Sequence, residues 1–220
     1  MTKSQIFHTD RYKRIERAIV GLLNSQPDFL TSRSASSTRA AGDAIQAILS
    51  EHFESLLGGL CANYSSDFAR RAMADLAFTD PDGLYYVVDV KTHRLGTRFN
   101  MPNLTSVERL ARFYEGDNNY FVVLIVKYSI QATRVTVEKA TFVPIEFLSW
   151  DCLTIGALGW GQIQIANANV VKIKEGYSRR KWMIELCDIM LEFYPREIEK
   201  TGERIEYFRN VRSRWLERKE

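Results

Sequence analysis

The apolar positions of this chain keep helical time first, strand time in the middle and helical time again at the end. Ile15, Ala18, Ile19, Leu22 and Leu23 recur at three- and four-residue spacing, which predicts an amphipathic helix over 11–24. A polar stretch rich in capping residues, TSRSASSTR (31–39), separates it from a second helix expected at 41–58. There Ile45, Ile48, Leu49, Phe53, Leu56 and Leu57 share a face, and Gly58-Gly59 ends it. ADLAF (74–78) and LYYVVDVKT (84–92) are enriched in β-branched and aromatic residues and predict strands. A helix is expected at 105–115, with Thr105 and Glu108 as a capping box and Gly116 past its end. NYFVVLIVKYSI (119–130) is almost unbroken apolar, as in a strand buried on both faces, whereas ATRVTVEKATFV (132–143) alternates like a neighbour with one wet face. GQIQIA (161–166) predicts a further short strand, and 178–216 two helices broken at Pro195, the first with Trp182, Leu186, Ile189, Met190 and Phe193 on one face.

Helices, a strand-rich middle with one embedded helix, then helices again define an α/β chain with a mixed sheet flanked by α-helices. With 220 residues, one domain is expected over 1–220: N-terminal helices at 5–58, a sheet core at 70–170 and C-terminal helices at 178–216. GxGxxG, GxxxxGK[ST] and GxSxG are all absent, which removes dinucleotide, P-loop and α/β-hydrolase readings and any nucleotide cofactor. Cys61, Cys152 and Cys187 are isolated and odd in number, fitting a reducing compartment. The three histidines, His8, His52 and His93, have no zinc-ligand spacing. With no secretory h-region and no apolar run of the roughly 20 residues that span a bilayer, the expectation is a cytoplasmic protein without a membrane partner. A net charge of +3 permits a nucleic-acid partner without demanding one.

The chemistry concentrates between residues 74 and 91. Asp89 and Lys91 are two apart on a strand and so project from the same sheet face. In Asp80-Pro81-Asp82-Gly83, Pro81 suits the first central position of a type I turn, and Gly83 the left-handed residue of a three-residue hairpin loop. Pairing Asp80 with Leu84 and counting five residues outward sets Asp75 opposite Asp89. Two opposed carboxylates repel. A divalent cation reverses that sign, and Mg²⁺ commonly takes one or two protein carboxylates with water and phosphate oxygens. Lys91 beside them is suited to holding a water or developing charge on phosphorus. D-x-K triplets also occur on merely solvated edges, but these charges interrupt an apolar run and need partners. The residues by themselves point to a metal site, with phosphodiester hydrolysis one of several metal-assisted chemistries.

Asp75 followed by Asp89-Val90-Lys91 after a short hairpin resembles the PD-(D/E)XK motif, with Ala74 in place of the nominal proline. The likeness extends through Thr38-Arg39, Gly42-Asp43, Thr92, Met101-Pro102-Asn103-Leu104, Glu115-Gly116, Tyr120 to Leu124, Gln162 to Ile165, and Ser178-Arg179 with Trp182. These segments are similar to those of type II restriction endonucleases and cover most of 38–215. The resemblance implies a restriction-endonuclease-like fold and a homodimer that cuts both strands of double-stranded DNA at a palindromic site, leaving 5′-phosphate and possibly blunt ends. It implies Asp75 and Asp89 as Mg²⁺ ligands, Lys91 as the catalytic lysine, and Asp43 as an acid beside the site, where an ordinary helix-N-terminal acid is an equal alternative. Arg94 and Arg98 become candidates for phosphates, and Asn100 and Asn103 for base edges. Gln162 and Gln164 share a strand face behind the glycine-rich loop 158–161, while Ser178 and Arg179 open a helix whose N-terminus suits a phosphate. A solvated loop, a strand surface and a helix cap are the bland alternatives for these residues. A repair or recombination nuclease with the same core, or a non-catalytic DNA-binding protein, remains open beside the restriction reading.

Overall fold

Strands β1 (Asn63–Ser65), β2 (Leu76–Thr79), β3 (Tyr85–Arg94), β5 (Asn119–Gln131) and β6 (Arg134–Pro144) form a mixed sheet in the order β1-β2-β3-β5-β6. The computed structural model describes residues 3–65, 74–97 and 100–218. The chain divides into two units, residues 1–176 and 177–220. In the first, β1, β2 and β3 run antiparallel to one another, β3 and β5 are parallel, and β6 returns antiparallel to β5. The nearly continuous apolar run of 120–126 is buried on both faces, as its lack of alternation predicts.

Helices α1 (Arg11–Ser25), α2 (Ser32–Ala35) and α3 (Thr38–Leu57) precede the sheet. α1 buries Tyr12, Ile15, Ile19 and Leu23 and lies on β6. It is held there by Asn24, whose side chain bonds both the N–H and the C=O of Val137, and by Glu16, which accepts the Phe142 N–H at 2.7 Å. α3 buries Ala41, Gly42, Ile45, Leu49, Phe53 and Leu57. Between these helices and the sheet lies an aromatic core in which Phe78 and Tyr86, paired across β2 and β3, stack at 4.6 Å, with Phe7, Phe53, Tyr120 and Phe142 around them. Each such ring contributes roughly 1.5–3 kcal/mol by leaving water. The Tyr86 hydroxyl bridges Ser4 and Asp80, and the Tyr120 hydroxyl accepts the Ser4 N–H, so the polar tips of these rings are satisfied.

A second, antiparallel sheet has the order β4 (Asn103–Ser106), β8 (Gln162–Ile165), β7 (Leu153–Gly156). Here the structure corrects the expected helix start. Thr105 is a strand residue paired with Ile163, and Ser106 is the N-cap of a shorter helix, α4 (Val107–Phe113). Glu108 pairs instead with Arg112, one turn on, at 2.7 Å. Beyond α4, Asn119 caps the Phe113 carbonyl, and a Cβ at position 116 would lie 2.5 Å from its amide, so a larger residue there would displace that cap.

The second unit corrects a further expectation. Pro195 breaks nothing: α5 (Arg179–Leu216) is one helix of 38 residues with the proline inside it. Proline removes a single N–H bond and crowds one carbonyl, at about 3 kcal/mol, against a ladder that continues on both sides. Among the described residues no helix is long and apolar enough to cross a membrane.

Candidate active site

The hairpin closes as its residues dictate. Gly83 takes φ +78°, the Asp80 N–H donates to Leu84 O at 3.0 Å, and Asp80 Oδ1 accepts the N–H groups of Asp82 and Leu84. That turn sets the register Thr79↔Tyr85, Phe78↔Tyr86, Ala77↔Val87 and Leu76↔Val88. β2 ends there. One residue earlier, Asp75 still donates its N–H to Val88 O at 3.0 Å, and its Oδ2 accepts the Val90 N–H at 2.7 Å. A continued ladder would bring the carbonyl of residue 74 to that N–H. The Asp75 carboxylate takes its place and is thereby drawn towards β3.

Asp89 lies on the β3 face opposite the aromatic core, and only 5% of it is exposed. Its Oδ1 accepts from Lys91 Nζ at 2.8 Å. Its Oδ2 is buried and has no hydrogen-bond partner among the described residues. Burial pushes the Asp89 carboxyl up to about 7; Lys91 opposes the rise and the Asp75 charge adds to it. The site therefore holds two acids close enough to repel, one cation, and a buried carboxylate oxygen that no described residue satisfies. Among the described residues no group of three or more His, Cys, Asp or Glu side chains is placed to hold a metal. A pair of carboxylates with an orphaned oxygen fits a hard cation that takes its remaining ligands from water and substrate.

Further along the same face, buried His93 bonds Asn169 Oδ1 through Nε2 at 2.8 Å, and its buried Nδ1 has no partner among the described residues. Asn169 also bonds Thr97 O and Asn167, and its carbonyl accepts from Lys127 Nζ at 3.3 Å. Lys127 stands opposite Lys139 across β5 and β6 and beside His93 across β3 and β5. Burial and the Lys139 charge lower its pKa. This cationic pair and Asn169 escaped the sequence reading. Lys127 carried a signal, a charge ending an apolar run, but Lys139 and Asn169 had none.

The other candidates scatter. Asp43 is exposed on α3, next to Gly42, which packs on Thr92 of β3. Arg94 donates from Nη1 to Ala35 O at 3.1 Å, closing the end of α2. Arg98 lies outside the described residues. Asn100 is exposed, and its carbonyl accepts the Ala168 N–H. Asn103 and Gln164 do meet: they are partners across β4 and β8, and Gln164 Nε2 donates to Asn103 Oδ1 at 2.5 Å. Gln162, opposite Ser106, shares their sheet face and lines a cleft of about 390 Å³ with Thr105, Ser106, Arg109 and the exposed Trp160. Ser178 caps α5 by accepting the Lys181 N–H at 3.5 Å, with Arg179 the first helical residue; both belong to the second unit.

The chain matches no protein-family model and no curated protein sequence.

Proposed function

We propose that this chain is a Mg²⁺-dependent phosphodiesterase acting on double-stranded DNA. Within that class we assign it to the type II restriction endonucleases, with a restriction-endonuclease-like fold and the homodimeric state that cutting both strands of a palindromic site requires. The observation that carries the reading is Asp89 Oδ2, a buried acceptor with no partner among the described residues, beside a second carboxylate and an ammonium. A carboxylate kept in that state costs stability unless something cationic completes it. Bound Mg²⁺ supplies Lewis acidity at the phosphoryl oxygen and an acidified water.

The protein's own groups then have distinct tasks. Asp75 and Asp89 would hold the cation, and the Val90 N–H fixes the angle of the Asp75 carboxylate. Lys91, which pairs with Asp89, would be placed to donate to the attacking water or to a non-bridging phosphate oxygen. Lys127 and Lys139 supply positive charge on the same sheet face, where like charges directly opposed are otherwise unfavourable and a polyanion relieves them. The Asn103–Gln164 amide pair offers donors and acceptors of the kind that read adenine in a groove.

Incubation of the purified chain with plasmid DNA and Mg²⁺ tests this. Discrete fragments with 5′-phosphate ends are expected, and sequencing them returns site and stagger together. Structure-dependent nicking would move the chain to the repair nucleases, and binding without cleavage in Mg²⁺ or Mn²⁺ would end the enzymatic reading.

A further inference from the structure

α5 exposes large apolar side chains in a fixed order along its length. Ile184, Leu191, Ile198 and Ile205 recur every seven residues, and Tyr194, Phe208 and Trp215 occupy a second seven-residue series three places on, completed by Cys187 and Thr201. Leu191 and Ile198 are each 73% exposed, and the rest of both series is exposed as well. Of the large exposed apolar residues on this helix only Tyr207 and Leu216 lie off the two series. A strict seven-residue repeat over four heptads is the pattern of a helix that winds about another helix. We infer that the Ile184–Trp215 stripe pairs with the same stripe of a second copy, antiparallel, as a two-fold coiled coil.

Charge and size select both direction and register. With Ile198 facing Thr201 of the second copy, the successive layers are Ile205 with Tyr194, Leu191 with Phe208, Ile184 with Trp215, and Arg212 with Cys187. Each complete hydrophobic layer then sets one aliphatic against one aromatic side chain, and the small Thr201 falls at the centre. On the flanks of this arrangement Glu197 meets Arg204 and Asp188 meets Arg209, each twice by symmetry, and the Pro195 ring meets Gly202. Within the helix Glu197 already pairs with Lys200, and Arg209 with Glu206, so the interchain pairs extend existing ion pairs. Sliding one copy by a heptad puts either Glu197 or Arg204 opposite itself. A parallel pair would set Arg204 against Arg209. Among these arrangements only the stated register has no like-charge flank.

The inference is independent of the nuclease reading, because it is tested without DNA or metal. Sedimentation equilibrium of the full chain should give a dimer at micromolar concentration. Ile198→Glu or Ile205→Glu should weaken it at least tenfold, while Glu199→Lys, off the seam, should leave it unchanged. Arg204→Glu alone should also weaken the dimer about tenfold, and Glu197→Arg with Arg204→Glu should restore it to within threefold. Under mild oxidation Arg212→Cys should form a disulfide between positions 187 and 212 of the two copies, and the unsubstituted chain none on this helix. A chain that stays monomeric at 100 micromolar overturns the inference. So does a tighter dimer in Arg204→Glu, or a Cys187–Cys187 disulfide between copies, since either denotes a parallel pair.

Discussion

The Asp75 carboxylate accepts the Val90 backbone N–H at 2.7 Å, one residue beyond the last pair of the β2–β3 ladder. A candidate ligand thus doubles as a backbone acceptor, and the two tasks separate by substitution. Asp75→Asn keeps an oxygen for the Val90 N–H and should melt within about 1 kcal/mol of the parent, yet lose at least 100-fold in plasmid cleavage. Asp75→Ala loses both tasks and should cost a further 1 kcal/mol or so, the typical worth of a part-buried hydrogen bond. Full cleavage by Asp75→Asn, measured beside thermal melting, would remove Asp75 from the site.

Asp89 makes stability depend on pH in an unusual direction. A carboxyl whose folded pKa is raised from the ordinary 3.8 to about 7 binds its proton more tightly folded than unfolded. Its protonation stabilises the fold below the unfolded value, and that contribution is lost as pH rises towards 7. Asp89→Asn, neutral throughout, should therefore gain in melting temperature relative to the parent, and more at pH 8 than at pH 5, while cleavage is abolished. Melting curves at the two pH values check this. A gain that is equal at both, or larger at pH 5, would show that the carboxyl is not held high.

Mg²⁺ should reverse that penalty. If Asp75 and Asp89 share a cation, millimolar Mg²⁺ should raise the melting temperature of the parent at pH 8, by mass action on the folded state, and leave Asp89→Asn unmoved. Equal responses in the two proteins would place any metal effect elsewhere.

Lys127 and Lys139 face each other across β5 and β6 on the Asp89 face. Lys127→Ala should weaken binding to nonspecific duplex DNA and flatten the slope of log affinity against log salt by about 1. Fluorescence anisotropy across a salt series reads both, and an unchanged slope would take Lys127 off the phosphates. Asn103→Ala should instead reduce site-specific cleavage far more than nonspecific affinity, because amides read bases and leave the counterion count alone.

Gly42 seats α3 on β3, for a Cβ there would lie 2.6 Å from Thr92 Oγ1. Alanine can be accommodated by turning the threonine, whereas Gly42→Val must lift the helix and should cost about 1–3 kcal/mol. Chemical denaturation of the two variants measures the difference, and equal stabilities would mean the contact yields freely.

Much of this was legible along the chain because it is local chemistry. Pro81 and Gly83 determine the turn, and the turn determines a register that runs to Leu76↔Val88, one residue short of the Asp75–Asp89 pair that counting predicts. The buried strand at 119–131 and the one-sided strand after it were equally plain, since burial on two faces or one is written in apolar alternation. The seven-residue repeat of α5 is written in the sequence too, although Pro195 predicts a break that the long ladder absorbs.

Tertiary structure decided what pairs at long range. The three-residue strand β1 and four-residue strands β4 and β7 have too few positions to show a period and exist because distant partners bond them. That pairing turned Thr105 from a helix cap into a strand residue. The side of the sheet that α3 covers depends on Gly42 meeting Thr92, some 50 residues apart. Arg94 found a carbonyl at Ala35, and Asn169 found His93, through contacts that no spacing announces. Sequence alone determined which residues could do chemistry together along one hairpin; only the folded chain decided which were buried, which were already satisfied, and which oxygen was left without a partner among the described residues.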